Sequence, residues 1–312
     1  IDFGTSNSSV AFHDGKSAQV IEMADGSRLL PSVIAFTDDN EVLVGNSAIS
    51  AGKISPLKCF KHVKRLMGQL YNKSENTGGQ TVEGDDGMTW LKGPDHNYAP
   101  AEFAAVIMSA LLDAAEAKLD ERPDGAVIGV PAAYKQPQRA AIREAARIAG
   151  LSDDRIWLIE EPTLAAILYG QGRKKFATVA VYDWGGGTFD FTILRGKGAK
   201  LKVVGTLGNG QLGGKDVDEV IVRHVLKAWK AKYDVDLGLR AATMPRIREA
   251  SEETKIDLTG KSKSAVMVQF VDSTGADGVR HMDEPITQEE FNNMARATVE
   301  STFATVDQLM NE

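Results

Sequence analysis

At 312 residues the chain is too long for one compact core and is expected to form two domains, or one domain with two lobes. Hydrophobic residues at 43% and charged residues at 25% are ordinary for a globular protein, and a net charge of −7 argues against a surface built for nucleic acid. A lone cysteine, Cys59, excludes an internal disulfide framework and fits a reducing, cytoplasmic compartment, while no apolar run approaches membrane-spanning length.

The sequence opens at Ile1-Asp2-Phe3-Gly4 and reads as a segment whose first strand has lost its start. Ser8 to Phe12 is strand-like, Asp14-Gly15 signals a hairpin, and Ala18 to Met23 is its return. Residues 73–97, with glycines at 78, 79, 84, 87 and 93, read as surface loop or a small hairpin, not core. Ala101 to Leu119 has helical spacing and ends at Glu121-Arg122-Pro123. Val127 to Val130 is a short buried strand running into Pro131, and Gln138 to Ala149 is an amphipathic helix closed by Gly150. Glu161-Pro162 opens a helix over Thr163 to Tyr169, and the basic run Arg173-Lys174-Lys175 marks a lobe boundary near residue 172.

The second half begins with strands at Ala177 to Tyr182 and Phe189 to Leu194. Helices follow at Val217 to Lys232 and Met244 to Asp257, then a strand at Ala265 to Val271 with its turn at Asp272 to Gly278. Thr287 to Leu309 is a long last helix. Strands alternating with helices predict an α/β fold.

One pattern occurs twice. Asp2-Phe3-Gly4-Thr5-Ser6 precedes a strand, and so does Asp183-Trp184-Gly185-Gly186-Gly187-Thr188. Each reads as an acidic residue at a strand tip, a glycine turn, a hydroxyl residue and a return strand. Glycines let backbone N–H groups approach phosphate oxygens, and the hydroxyl adds a donor. A carboxylate cannot bind phosphate itself, so it is expected to hold the waters of a Mg²⁺. Two such hairpins on two lobes would clamp a triphosphate from opposite sides. Either hairpin alone would be an ordinary β-turn.

These two segments, Val130-Pro131-Ala132-Ala133-Tyr134, Glu161-Pro162-Thr163 with Ala165-Ala166, and Leu212-Gly213-Gly214-Lys215-Asp216-Val217-Asp218 occur in an order that resembles the heat shock protein 70 (DnaK-like) chaperones. Specifically, they resemble that family's nucleotide-binding domain, within the actin-like ATPase superfamily. The resemblance implies a two-lobed actin-like (ribonuclease-H-like) α/β fold with the second lobe truncated. Lobe I would cover 1–172 with residues 32–99 inserted, and lobe II 173–312 with residues 213–303 inserted. It implies slow ATP hydrolysis, with ATP or ADP, Mg²⁺ and K⁺ as cofactors. Asp2, Asp183 and Glu161 match the residues that hold Mg²⁺ through water, and Asp190 with Asp2 the monovalent cation site. Gly4, Thr5 and Ser6 match the first phosphate loop, Gly185, Gly186, Gly187 and Thr188 the second, and Gly213 and Gly214 a third contact. Phe60 to Gly68 resembles the helix bearing the catalytic lysine, which makes Lys64 the candidate; on its own, Lys64 beside His62 and Arg65 would read as a solvated basic face. Glu252, Lys255 and Thr259 match the adenosine contacts, and their spacing would put them on one helix face.

The resemblance also implies a nucleotide-exchange factor, a J-domain co-chaperone and client peptides as partners, the last through a domain outside this sequence. Trp157 and Glu160 replace an Arg and an Asn that usually help engage the J-domain, which weakens that expectation. The family's last nucleotide-binding turn, expected after the final helix, would lie beyond Glu312. Other readings fare worse. Gly208 to Gly213 fits G-x-G-x-x-G but lacks an acidic residue at a strand end about 20 positions on. Gly260-Lys261-Ser262 lacks the first glycine of a P-loop, and the five histidines have no zinc spacing. An actin-like filament protein is the alternative function and a small-molecule kinase the third. The Leu212–Asp218 motif and the Lys64 segment speak against the former, the lack of a spare catalytic carboxylate against the latter. Cys59 reads as packed or half-exposed on the Lys64 helix, and Phe103, Trp157, Trp184 and Trp229 as core.

Overall fold

A computed structural model describes residues 1–72, 80–170, 176–197, 200–240, 242–275 and 278–311. The basic run Arg173–Lys175 lies outside these residues. Within them the chain is mixed α/β, with seven α-helices: α1 (Asn46–Ile54), α2 (Pro100–Leu119), α3 (Gln136–Ile148), α4 (Glu161–Gly170), α5 (Gly214–Tyr233), α6 (Met244–Asp257) and α7 (Gln288–Asn311). None of the described helices is long and apolar enough to cross a membrane.

The first strand, Asp2–Phe3, pairs antiparallel with Asn7–Ser9, which pairs in turn with Leu30–Pro31. The other edge of the first strand runs along Ala126–Val130: the Ile1 amino group donates to the Val127 carbonyl at 2.7 Å and the Gly129 amide to the Ile1 carbonyl at 3.1 Å. Ala126–Val130 is parallel to Ile156–Glu160, with α3 between them in sequence. The apolar faces of α2 and α3 close a core of Phe3, Ile107, Met108, Leu112, Ile128 and Ile142. Phe36, Phe60, Tyr98 and Phe103 interlock beside it, with Phe60 and Phe103 centroids 4.8 Å apart. Phe103 and Trp229 are buried as expected, but Trp157 is 52% exposed on its strand.

Phe176–Trp184, Phe189–Lys197 and Lys200–Asn209 form a three-stranded antiparallel sheet. α4 and α7 pack against it. The strand before the G-x-G-x-x-G segment is therefore an antiparallel hairpin arm, unlike the parallel strand of a dinucleotide fold. A separate core of Ile221, Trp229, Ile247, Val266, Met282 and Ile286 joins α5, α6 and the hairpin Lys263–Gly275/Gly278–Thr287.

Several expectations change. Ser8 to Phe12 is two strands, because Val10 turns its carbonyl to the Ile21 amide and Ala11–His13 switches partner to Ala18–Val20. That return strand is correspondingly short. The small hairpin expected within 73–97 is present and gains a third strand, Thr81–Glu83, Thr89–Lys92 and Asn97–Tyr98 pairing antiparallel, but Leu91 is buried in the core, contrary to expectation; residues 73–79 lie outside the described residues. Asp272 belongs to a strand and not to a turn; it is buried and ion-paired to Arg240 at 2.7 Å and to Arg280 at 3.4 Å. The segment bearing Lys64 is a single 3-10 turn, Val63–Leu66, following the strand Cys59–Lys61. His62 and Gly68, both at positive φ, bracket it and leave no room for an α-helix. Cys59 is accordingly a buried strand residue, its thiol 3.7 Å from the Ala48 carbonyl.

Candidate functional site

The register of the three-stranded sheet pairs Asp183 with Asp190 and Trp184 with Phe189, leaving Gly185–Thr188 as a four-residue turn. The Gly185 amide donates to the Thr188 carbonyl at 3.0 Å and closes it. The turn after the first strand is held from behind, where the Ser32 hydroxyl donates to the Gly4 carbonyl at 2.8 Å and the Ser32 amide to the Ser6 carbonyl at 2.8 Å. A Cβ on Gly4 would collide with the Asn7 carbonyl, so the turn requires glycine there.

These two turns face each other. A Cβ on Gly186 would lie 2.5 Å from Ser6 Oγ, and one on Gly187 would collide with Thr5 Oγ1. The third segment closes the group from another side: the Gly214 amide donates to the Gly185 carbonyl and the Lys215 amide to the Gly186 carbonyl, both at 2.9 Å. Three glycine segments remote in sequence thus form one cradle of backbone and hydroxyl groups. Such surfaces suit phosphate oxygens.

Lys64 lies beside the cradle. It is 5% exposed, and its Nζ donates to Glu161 Oε1 at 2.8 Å. The Tyr134 hydroxyl fixes the backbone behind it, donating to the Lys64 carbonyl at 2.9 Å. Glu161 opens α4, and burial pushes its carboxyl up, with Lys64 opposing and the charges of Asp183 and Asp2 adding to the rise. Burial also raises Asp183, again against Lys64. Asp190 is pushed up to about 6, first by burial, while the Ala133 amide, donating to Oδ1 at 2.8 Å, holds it down. Three carboxyl groups, Glu161, Asp183 and Asp190, therefore share one ammonium group, with the charge of Asp2 close by. That surplus of negative charge suits a hard cation with oxygen ligands. Among the described residues no three His, Cys, Asp or Glu side chains converge closely enough to grip a metal directly. The donor set fits a cation that keeps its own waters, as Mg²⁺ commonly does.

The Asp190 shift has a measurable consequence. A carboxyl raised by folding keeps its proton in the native state to higher pH than in the unfolded chain. Stability then falls as pH rises from the ordinary carboxylate range through about 6, and levels off above. In metal-free protein, Asp190→Asn is expected to raise stability at neutral pH by about 1–3 kcal/mol, with the gain vanishing in acid. Urea denaturation across pH, in chelator, measures this; a gain independent of pH would assign it to packing.

The adenosine candidates separate. Lys255 reaches the cradle, 3.6 Å from where a Cβ of Gly214 would stand, and pairs with Asp218 Oδ1 at 2.6 Å. Glu252 instead lines a cleft between α6 and the Cys59–Leu66 segment. Thr259 lies beyond the end of α6, exposed, with its hydroxyl donating to the Ile256 carbonyl at 2.7 Å. The three do not share one helix face, because α6 ends at Asp257.

Sequence reasoning gave no role to Arg65, Asp216 or Asp218. Arg65 donates to both oxygens of Asp216, at 3.0 and 3.3 Å, and Asp216 Oδ2 also accepts the Gly213 amide at 2.7 Å. The spacing of the two aspartates after Gly213-Gly214 was the available signal; their cationic partners, 151 and 37 positions away, were not visible in it. With this geometry in hand, comparison with protein families matches residues 1–312 to the family described as Hsp70 protein.

Proposed function

This chain belongs to the Hsp70 protein family, and on that premise we propose that it is the ATP-binding and slowly ATP-hydrolysing switch domain of a chaperone. The observation that carries this reading is the cradle itself: three glycine segments meeting beside a buried Lys64–Glu161 pair, with Asp2 and Asp183 close enough to perturb Glu161. The family brings with it an actin-like ATPase fold. We assign lobe I to residues 1–172 and lobe II to 173–312, with insertions at 32–99 and 213–303. The two main apolar cores, one built from residues between Phe3 and Ile156 and the other between Ile221 and Ile286, support that division.

In this reading Gly4, Thr5, Ser6, Gly185, Gly186, Gly187, Gly213 and Gly214 bind the phosphates of ATP, and Thr188 adds its hydroxyl. Asp2, Glu161 and Asp183 would hold Mg²⁺ through its water shell, and Asp190 with Asp2 a K⁺. The metal supplies charge neutralisation for the phosphates. Lys64, held rigid by Glu161 and by Tyr134, places a fixed positive charge where the transferred phosphoryl group accumulates negative charge. Glu161, the acceptor of the Lys64 hydrogen bond, orients the attacking water. Lys255, Glu252 and Thr259 serve the adenosine end, with Lys255 the one already at the cradle.

A nucleotide-exchange factor is a proposed partner, and client peptides would engage a domain outside this sequence. For J-domain coupling, Glu160 is tied to Arg139 at 2.9 Å and Trp157 projects to solvent, a surface different from the usual Arg and Asn. A cytoplasmic location is proposed on the lone, buried Cys59 thiol.

ATP titration and turnover, with Mg²⁺ and with excess chelator, test the reading. Binding and hydrolysis are expected to need the metal, because three carboxyl groups otherwise repel the triphosphate. Equal affinity in both conditions would remove the metal assignment, and absence of ATP binding would remove the function.

A further inference from the structure

The cleft between α6 and the Cys59–Leu66 segment contains none of the residues of the two phosphate turns. Its lining is rich in cationic side chains, and two of its nitrogens lack partners. His62 Nδ1 and Arg65 Nε are buried with no hydrogen-bond partner. The Lys215 side chain also lines the cleft, and among the described residues its Nζ meets no carboxylate within ion-pair distance. The carboxylates around it are engaged elsewhere. Asp216 is held by Arg65, Glu219 by Arg248 at 2.5 Å, Glu249 by Lys61 at 3.7 Å and Asp218 by Lys255. Glu252 is the remaining cleft carboxylate, and its charge is not among those acting on Lys215.

Lys215 is half-buried, and withdrawing a cation from water without a close partner is unfavourable, so proteins ordinarily supply a counter-ion. Here the chain supplies a second cation: Arg65 lies close enough to both Lys215 and His62 to affect each. Burial, Arg65 and Arg248 push Lys215 down to about 8 against the pull of Glu219 and Asp216, and burial with the surrounding cations holds His62 well below its ordinary range. Purely structural roles would leave the Lys215 ammonium, the Arg65 Nε–H and the neutral His62 Nδ1 all without partners around one cleft. We propose that this cleft is an anion-binding site, separate from the nucleotide cradle, in which Lys215, Arg65 Nε and His62 receive a phosphate-class oxyanion. Lys215 supplies the charge, the guanidinium N–H a directed donor, and the imidazole a second donor through Nδ1. The occupant is free inorganic phosphate; a nucleotide's own phosphate held at the cradle is the outcome that would overturn the separate site. The inference does not depend on ATP hydrolysis.

Inorganic phosphate is the probe, titrated by calorimetry and phosphorus NMR into the full nucleotide-free chain. Saturable binding to one site is expected, weakened about tenfold or more by Lys215→Met and preserved by Lys215→Arg. Binding is also expected to persist when a non-hydrolysable Mg·ATP analogue saturates the protein and fills the whole cradle, which leaves the cleft as the place of the free phosphate. Displacement by that analogue would place the anion in the nucleotide cradle and overturn the separate site. No binding to the wild type, or undiminished binding to Lys215→Met, would overturn it equally. The wild-type melting temperature gives a readout that needs no variant: it is expected to rise with phosphate and not with chloride at matched ionic strength. An equal response to both salts counts against the site.

Discussion

Lys64→Ala is expected to lower single-turnover ATP hydrolysis by about 100-fold or more while ATP binding persists. Lys64 is buried, and its ammonium meets Glu161 at 2.8 Å among carboxyl groups that all sense its charge. A charge held this firmly costs no reorganisation when negative charge develops on a phosphoryl group, so its loss falls on the rate more than on affinity. Removing one member of a buried pair also destabilises, because Glu161 is left without its cation. The melting temperature of the variant must therefore be recorded beside its rate, and Lys64→Met, which keeps most of the packing, separates the two effects. Unchanged hydrolysis by a folded Lys64→Met would refute the catalytic role.

Gly213→Ala is expected to dismantle the cradle and weaken nucleotide binding by about 100-fold. The added Cβ would stand 2.6 Å from the Gly187 amide nitrogen and 2.7 Å from both the carbonyl carbon and the oxygen of Gly186. Those are backbone atoms and cannot rotate away as a side-chain end could. Relief requires the 213–215 segment to retreat, which strains or breaks the two 2.9 Å bonds from Gly214 and Lys215. Overpacking of this kind costs about 1–3 kcal/mol, and each lost hydrogen bond about 1 kcal/mol. Gly210→Ala, three positions earlier, is the control: a Cβ there meets nothing within 4 Å. Calorimetric titration of ATP into both variants decides it. Matching affinities would show that the Gly213 contact is irrelevant to the nucleotide.

The contrast between these two residues shows what kind of information a sequence holds. Gly213 was visible as part of a spaced motif, but nothing in Leu212–Asp218 says that its partner is the turn at Gly186–Gly187. Lys64 was visible only through resemblance to a family. The same resemblance implies a helix there, but the segment is a 3-10 turn, because His62 and Gly68 on either side take positive φ. Composition over Asp272 to Gly278 predicts a turn. Asp272 is buried in a strand because Arg240 and Arg280 neutralise it there, a pairing of residues 32 and 8 positions distant. Thr259 kept the right spacing but lost the helix face, since α6 stops two residues earlier.

What the sequence determined by itself was local. The glycine turns with their acidic and hydroxyl flanks, the amphipathic period of α2 and α5, and the buried strand at Val127–Val130 all follow from neighbours a few residues apart, through backbone freedom and apolar periodicity. Tertiary structure alone decided which turns face each other, which carboxylate takes which cation, and which cations are left over. Those outcomes depend on distances between segments up to about half the chain apart, and the same charge is exposed and ordinary in one packing or buried and displaced in another. Lys215 makes the point: in the sequence it is an unremarked residue of a motif, and only the prior claims of Arg65, Arg248, Lys61 and Lys255 on the neighbouring carboxylates leave it facing the cleft without a counter-ion.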